Sequence, residues 1–519
     1  VTSLEALESA ASRPVTFFAT GRAASDINDA LAAPALVSEG EIELPYFLGV
    51  PADATDGDVI TTGSWKSNQG DNLQDPPLQT LPEVVAPSDK VTYRFPFVEK
   101  TDDLTVPTLV TYPDEAFLNQ LGISKPAEGW PVIISQHGIT GDRSATLPLA
   151  NALAFACVDA SDPQQPVPSA ELDCFATIAI DQPLHGVLPK GSSVPGLTPI
   201  SVDSGASAAA IERHFNFTAN AALEATPISA LPEAAAQSGS LFINLSNFVN
   251  SRDNNRQGTL DLLNLNASIS AMDIDGIDNG PDLDTSRVYF VGHSLGGING
   301  IPFVSINNQI VGAGVNTDLP EIQAAAILNS GGGITKLLEN SANTSFGAPA
   351  ILAGLAQASD GVLVQGSSAL ESYFSVLQGL LDSTDPVNFG SSLADSDILL
   401  TEIVGDGTAE NLPDQTIPNA ADADLYDQGP LDLTLPNGFR IDSLPAPLAG
   451  TEPTIAQFGA TATANGELPA ITRFTEGSHA TPVSGDNPAV FSEMVSQIAQ
   501  LFSNGEITVT NPAIVEGTD

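Results

Sequence analysis

The chain has 519 residues, with 16 basic against 63 acidic side chains and a formal charge of −47. That length accommodates one large α/β domain and an extra module, and that charge excludes nucleic acid as a partner and opposes adsorption to anionic membranes. The acidic residues are spread along the chain, as suits a marine or halophilic medium in which salt screens self-repulsion. No stretch approaches the roughly 18 uninterrupted apolar residues of a membrane-spanning helix. A chain starting at Val1 reads as a mature or trimmed form.

Residues 1–88 carry strand-like pieces at 15–19, 41–48 and 59–64 and a helical stretch at 24–36, between Pro-, Asp- and Gly-rich turns. They are expected to form a small β-rich module beside a catalytic domain spanning 89–519. Strand–helix alternation then begins: 91–99 and 104–112 read as an antiparallel opening pair, and 131–135 as a third strand. Gln136-His137-Gly138-Ile139-Thr140-Gly141 follows directly. Helix 144–155 and a fourth strand at 176–180 come next. Between them Cys157 and Cys174 bracket a Pro-, Gln- and Ser-containing loop. In an exported protein they are expected to pair as a local disulfide, worth about 3 kcal/mol, in preference to two buried thiols.

Asp181-Gln182-Pro183-Leu184-His185-Gly186 closes the fourth strand, with His185 a structural or substrate-loop residue. Residues 187–250 break the alternation with apolar islands at 211–217 and 241–249, where a lid or cap is expected. A helix over 250–265 leads to a turn containing Asp273, Asp275, Asp278, Asp282 and Asp284. Five carboxylates suggest a structural calcium. Yet Asp278 stands where an EF-hand loop requires glycine, and Asp284 where it uses glutamate, so a solvated acidic turn is preferred.

The run Arg287 to Gly297 organises the rest. A buried strand, Val288 to Val291, enters Gly292-His293-Ser294-Leu295-Gly296, a G-x-S-x-G sequence. Glycines on both sides of Ser294 let the chain turn sharply from strand to helix and leave the hydroxyl exposed above a parallel sheet. Such a nucleophile requires a histidine, and the chain has five, of which only His479 lies downstream of the elbow. It follows the strand-like 470–474. The acid is expected after the strand 398–404, where Asp406 and Asp414 compete. A sixth strand at 324–329 and a second insertion at 331–392, with a helix over 367–381, lie between.

These pieces resemble known hydrolases. Asp414 begins Asp-x-x-Ile-Pro, similar to the Asp-x-x-Val-Pro that carries the acid in many hydrolases of this kind, so Asp414 is preferred and Asp406 is left to shape the turn. His-Gly-x-x-Gly at 137–141 resembles the oxyanion loop of bacterial lipases. That resemblance makes Ile139 and Leu295 the oxyanion-hole amides, with Gly138 and His137 supporting the loop. With Asp181 to Gly186, Ser251 to Gln257, the aspartate-rich turn, Asp385 to Asn388 and Leu412 to Asn419, the chain resembles the bacterial virulence-factor lipases from about Val91 onward.

The resemblance implies an α/β-hydrolase fold: a mostly parallel sheet with cap insertions at 187–250 and 331–392. It implies a secreted or cell-surface serine hydrolase of lipid-like esters, an outer-membrane lipoprotein included, in peripheral contact with a lipid interface. A phospholipase, a lysophospholipase or a polyester hydrolase would use the same mechanism. No metal or organic cofactor is expected in the chemistry. The non-enzymatic alternative, a surface adhesin on a hydrolase scaffold, is disfavoured because every catalytic part is present.

Overall fold

The computed structural model describes residues 10–68, 89–92, 95–159, 165–220, 222–277, 280–421, 432–434, 440–463 and 466–517. Ten strands form one sheet: β1 Val15–Ala23, β2 Ala35–Tyr46, β3 Asp102–Pro113, β4 Trp130–Gln136, β5 Ala176–Ile180, β6 Leu283–His293, β7 Ile322–Leu328, β8 Asp397–Ile403, β9 Thr461–Ala462 and β10 Ala470–Phe474. Their spatial order is β1-β2-β3-β5-β4-β6-β7-β8-β10-β9. From β5 to β9 every pairing is parallel. Strand β3 runs antiparallel to both β2 and β5.

The central strands read as unbroken apolar runs because helices cover both faces. All of β4 is buried, as are all five residues of β5. The main helices are α1 Leu147–Leu153, α2 Phe248–Ser268, α3 Leu295–Ala313, α4 Ile334–Asn340, α5 Ala348–Ala358, α6 Ser368–Leu381, α7 Thr451–Phe458 and α8 Pro488–Asn504. Strand order, the antiparallel β3 and the turn from β6 into α3 together make this an α/β-hydrolase fold.

Three N-terminal expectations need correction. The antiparallel partner of 104–112 is β2, in register from Ala35↔Pro113 to Tyr46↔Asp102, and the segment at 91–99 is not that partner. Twelve aligned pairs outweigh anything the shorter run supplies. The expected strand at 59–64 is a short helix, Asp58–Thr62. It curls because Asn250 Nδ2 donates to the carbonyls of both Ile60 (3.0 Å) and Gly63 (2.7 Å). The expected helix at 24–36 is one turn, Ala24–Ile27, before β2 takes over at Ala35.

Residues 10–68 are β-rich, and their two strands extend the main sheet across the boundary placed at 88. Helix α2 holds them there. Gln257 donates to Pro45 O (2.9 Å) and accepts from Phe47 N–H (3.1 Å), and Asp253 accepts from Trp65 N–H (2.9 Å). Apart from the partly exposed Arg252, the polar Ser251 to Gln257 run is thus buried as a bracket for the N-terminal segment.

Both insertions fold onto the start of α3. Phe242 and Leu245 from the first join Leu338, Leu352, Phe374 and Leu377 from the second around Leu295 and Ile298. Each fully buried side chain of this kind stabilises by about 1.5–3 kcal/mol. A buried ionic cluster fastens the first insertion from below: Arg143 reaches Asp181 (2.7 Å) and forks onto Glu212 (2.9 and 3.0 Å). Arg143→Met strands two carboxylates without their cation, so denaturant titration should show a loss of about 3–5 kcal/mol. A loss below about 1 kcal/mol would mean that water satisfies them instead.

Candidate active site

Ser294 sits between β6 and α3 with φ 56° and ψ −122°, a conformation a side chain adopts only under constraint. The constraint is contact. A Cβ on Gly296 would lie 2.0 Å from Gln136 O, and one on Gly292 would lie 2.7 Å from Gly296 O. Both flanking positions therefore require glycine, and the helix end is pressed onto the C-terminal end of β4. Ser294 N–H donates to Leu328 O (3.0 Å), and Ser330 Oγ donates to Ser294 O (2.9 Å), fixing the turn from the β7 side.

His479 lies in the loop after β10, and its Nδ1 donates to Asp414 Oδ2 at 2.6 Å. Asp414 is buried, and its other oxygen accepts from the amides of Thr416 (2.7 Å) and Ile417 (3.0 Å). With Nδ1 donating, the Nε2 lone pair of His479 is left to accept a proton. Asp406 is placed elsewhere: exposed, it binds Thr408 and Asn411 within its own loop, which holds its carboxyl below the usual range. Ser294, His479 and Asp414 line one cavity of about 570 Å³ with Gly138 and Ile139.

Leu295 opens α3, where first-turn amides lack intrahelical acceptors. Gly138 lies so near Ser294 that an added Cβ would be 2.9 Å from Ser294 Cβ. The ring of His137 braces this loop, Nδ1 donating to Gly138 O (2.8 Å) and Nε2 accepting from Gln182 N–H (3.1 Å). Gln182 returns a bond to His137 O (2.5 Å) and accepts from Asn299 (2.6 Å). His185 is fully buried against His137 and Phe242. His214 bonds Val187 O and the Asn216 amide, within the first insertion.

Two contacts escape a reading of the sequence. His293 Nε2 donates to His479 O (2.8 Å), and Asn329 Nδ2 donates to the same oxygen (3.2 Å). The residue before Ser294 and the residue after β7 thus hold the backbone of His479. Only the position of His293 inside the elbow hinted at this.

Of the five aspartates in the acidic turn, Asp273, Asp275 and Asp282 converge, with ligand atoms within 4.8 Å of one another. Asp282 already faces Lys125 (2.9 Å), Asp284 is turned to Ser286 and Arg287, and Asp278 lies outside the described residues. Cys157 and Cys174 form a disulfide. No helix among the described residues is long and apolar enough to cross a membrane.

Two further spaces adjoin the site. A pocket of about 30 Å³ is lined by Ser294, Leu295, Ile298, Ile334 and Asn255, among others. A cleft of about 310 Å³ lies between the insertions, lined by Leu223, Ile243, Leu245, Leu338 and Ile351. Ile139 and Phe346 border all three.

No protein-family model matches the chain, and no curated protein matches it. Among solved structures it is similar to acetyl xylan esterase 1 from Thermoanaerobacterium sp. JW/SL YS485, at 12% identity over 78% of each chain, TM-score 0.35. It is also similar to a CE15 glucuronoyl esterase from Teredinibacter turnerae T7901, at 13% identity over 93% of this chain and 78% of that one, TM-score 0.35. An acetyl xylan esterase from Paenibacillus sp. R4 overlaps at 11% identity over 78% of this chain and 76% of that one, TM-score 0.34. Overlaps this loose say nothing about substrate, and the fold assignment rests on the strand order itself.

Burial, with His479 alongside, pushes the His293 imidazole down to about 3, and burial lowers His137 and His185 as well. These groups stay neutral in the folded protein where the unfolded chain takes up protons. Their contribution to stability is complete above the ordinary value of 6.5 and is lost as pH falls below it, for His293 toward about 3. Denaturant titrations across that range should show stability falling with pH, and His293→Asn should flatten the slope. An unchanged slope would mean that His293 titrates normally.

Proposed function

We propose that the chain is an exported serine carboxylic-ester hydrolase acting on lipid-like esters. The observation that carries this reading is the 2.6 Å His479–Asp414 pair opening into the cavity that also holds Ser294, with Gly138 against the serine. In this mechanism His479 Nε2 takes the Ser294 proton as Oγ attacks the ester carbonyl. The Ile139 and Leu295 amides receive the oxyanion, each worth about 10²–10³ in rate. The C–O bond then breaks, His479 returns the proton to the leaving alcohol, and water releases the acid from Ser294 by the same steps. Asp414 keeps the imidazole in the required tautomer.

The apolar cleft between the insertions supports a hydrocarbon-bearing substrate. A charge of −47 disfavours anionic interfaces, so neutral or zwitterionic esters are the expected substrates, with activity held or raised by salt.

On p-nitrophenyl butyrate, Ser294→Ala should abolish turnover, and Asp414→Asn should lower kcat by about four orders of magnitude. Asp406→Asn should turn over near the wild-type rate. Wild-type activity in Ser294→Ala would end the reading, and the reverse pattern between the aspartates would move the acid to Asp406. Beside these assays, phosphatidylcholine vesicles at rising salt should be cleaved as well or better; preference for anionic vesicles at low salt would contradict the charge argument.

A further inference from the structure

The pocket behind Ser294 is lined mainly by apolar side chains; besides Ser294 its polar lining is Ser251, Asn255, Ser341 and Thr416, and Asn255 projects from α2 and is 3% exposed. Asn255 Nδ2 donates to Ser251 O (2.8 Å), while Oδ1 has no hydrogen-bond partner. Exchanging the amide's two ends would set its oxygen against the Ser251 carbonyl, so the acceptor is the free end. Among the described residues, it is the one unpartnered buried polar side chain that lines a cavity shared with Ser294. A buried amide oxygen left without a donor is costly, and a donor arriving with a ligand removes that cost.

The pocket's size sets how near that donor lies to the reacting carbon. One water-sized group needs about 10–15 Å³, so about 30 Å³ holds two or three heavy atoms. An acyl group on Ser294 would fill it with one or two carbons and end at Asn255. Ile139, Ile243, Leu338 and Phe346 line both this pocket and the cleft, so the remainder of a longer chain lies along the cleft.

Resting on the ester-hydrolase reading, we infer that the site is built for hydroxyacyl esters, with a hydroxyl on the first or second carbon beyond the carbonyl donating to Asn255 Oδ1. The hydroxyl takes no part in bond making; it fixes the acyl group in the pocket while Ser294 attacks.

The test compares esters that differ by a methyl in place of the hydroxyl: ethyl glycolate with ethyl propionate, and ethyl β-hydroxybutyrate with ethyl isovalerate. The kcat/KM ratio within each pair is measured for the wild type and for Asn255→Leu, so that intrinsic reactivity cancels. At least one ratio should fall about tenfold or more in the variant, because a site made to bond a hydroxyl discriminates strongly against its absence. For the wild type alone, independent of whether the variant folds, glycolamide should inhibit p-nitrophenyl acetate hydrolysis about tenfold more tightly than propionamide. Ratios unmoved in both pairs, or equal inhibition by the two amides, would overturn the inference while ester hydrolysis stands; that is the result if a bound water satisfies Asn255. If the wild type cleaves none of the four esters and leaves p-nitrophenyl butyrate intact, the ester-hydrolase reading falls and the inference with it.

Discussion

The approach of α3 to the end of β4 is the contact on which the site depends. Gly296 lies so close to Gln136 O that no side chain fits between them, and this proximity holds Ser294 in its positive-φ turn. The same approach sets the loop that starts at His137 against Ser294, because Gln136 is both the last residue of β4 and the surface that Gly296 touches. A methyl group on Gly296 or on Gly138 would separate the loop from the serine. Backbone strain at Ser294 is thus sustained by packing on both sides.

Around that contact the chain spends buried polar groups on position. His293 and Asn329 hold the carbonyl of His479, Asp414 holds its ring, and two backbone amides hold Asp414. Gln182 links the oxyanion loop to α3 through Asn299. Arg143, Asp181 and Glu212 tie the first insertion to the same end of the sheet. Most of these bonds join segments far apart in sequence, so Ser294, His479 and Asp414 are positioned by long-range contacts.

The parts legible in the sequence are those where local geometry demands particular residues. The G-x-S-x-G turn tolerates only glycine at two points, and the chain order of serine, acid and histidine leaves one histidine to consider. Asp414 was preferred to Asp406 on its loop motif, and in the structure it is Asp414 that faces His479 while Asp406 closes a turn. Central strands were legible because burial on both faces makes them continuous apolar runs. Partner choice was not: nothing local in 104–112 specifies β2, and nothing local in 59–64 reveals that Asn250 will curl it into a helix. The carbonyl clamp on His479 was hidden for the same reason, since it joins residues 186 apart. Asn255 lies in the Ser251 to Gln257 stretch that carries the resemblance, without a role of its own there, and the pocket around it appears only in the fold.

The central claim is that Ser294 is a hydroxyl activated by His479, and covalent labelling tests it most directly. The protein treated with a fluorophosphonate probe should gain one adduct by intact mass, mapping to the peptide containing Ser294. The adduct should be absent in Ser294→Ala and should form far more slowly in His479→Ala. No adduct on the folded wild-type protein, or labelling that persists in Ser294→Ala, would contradict the account.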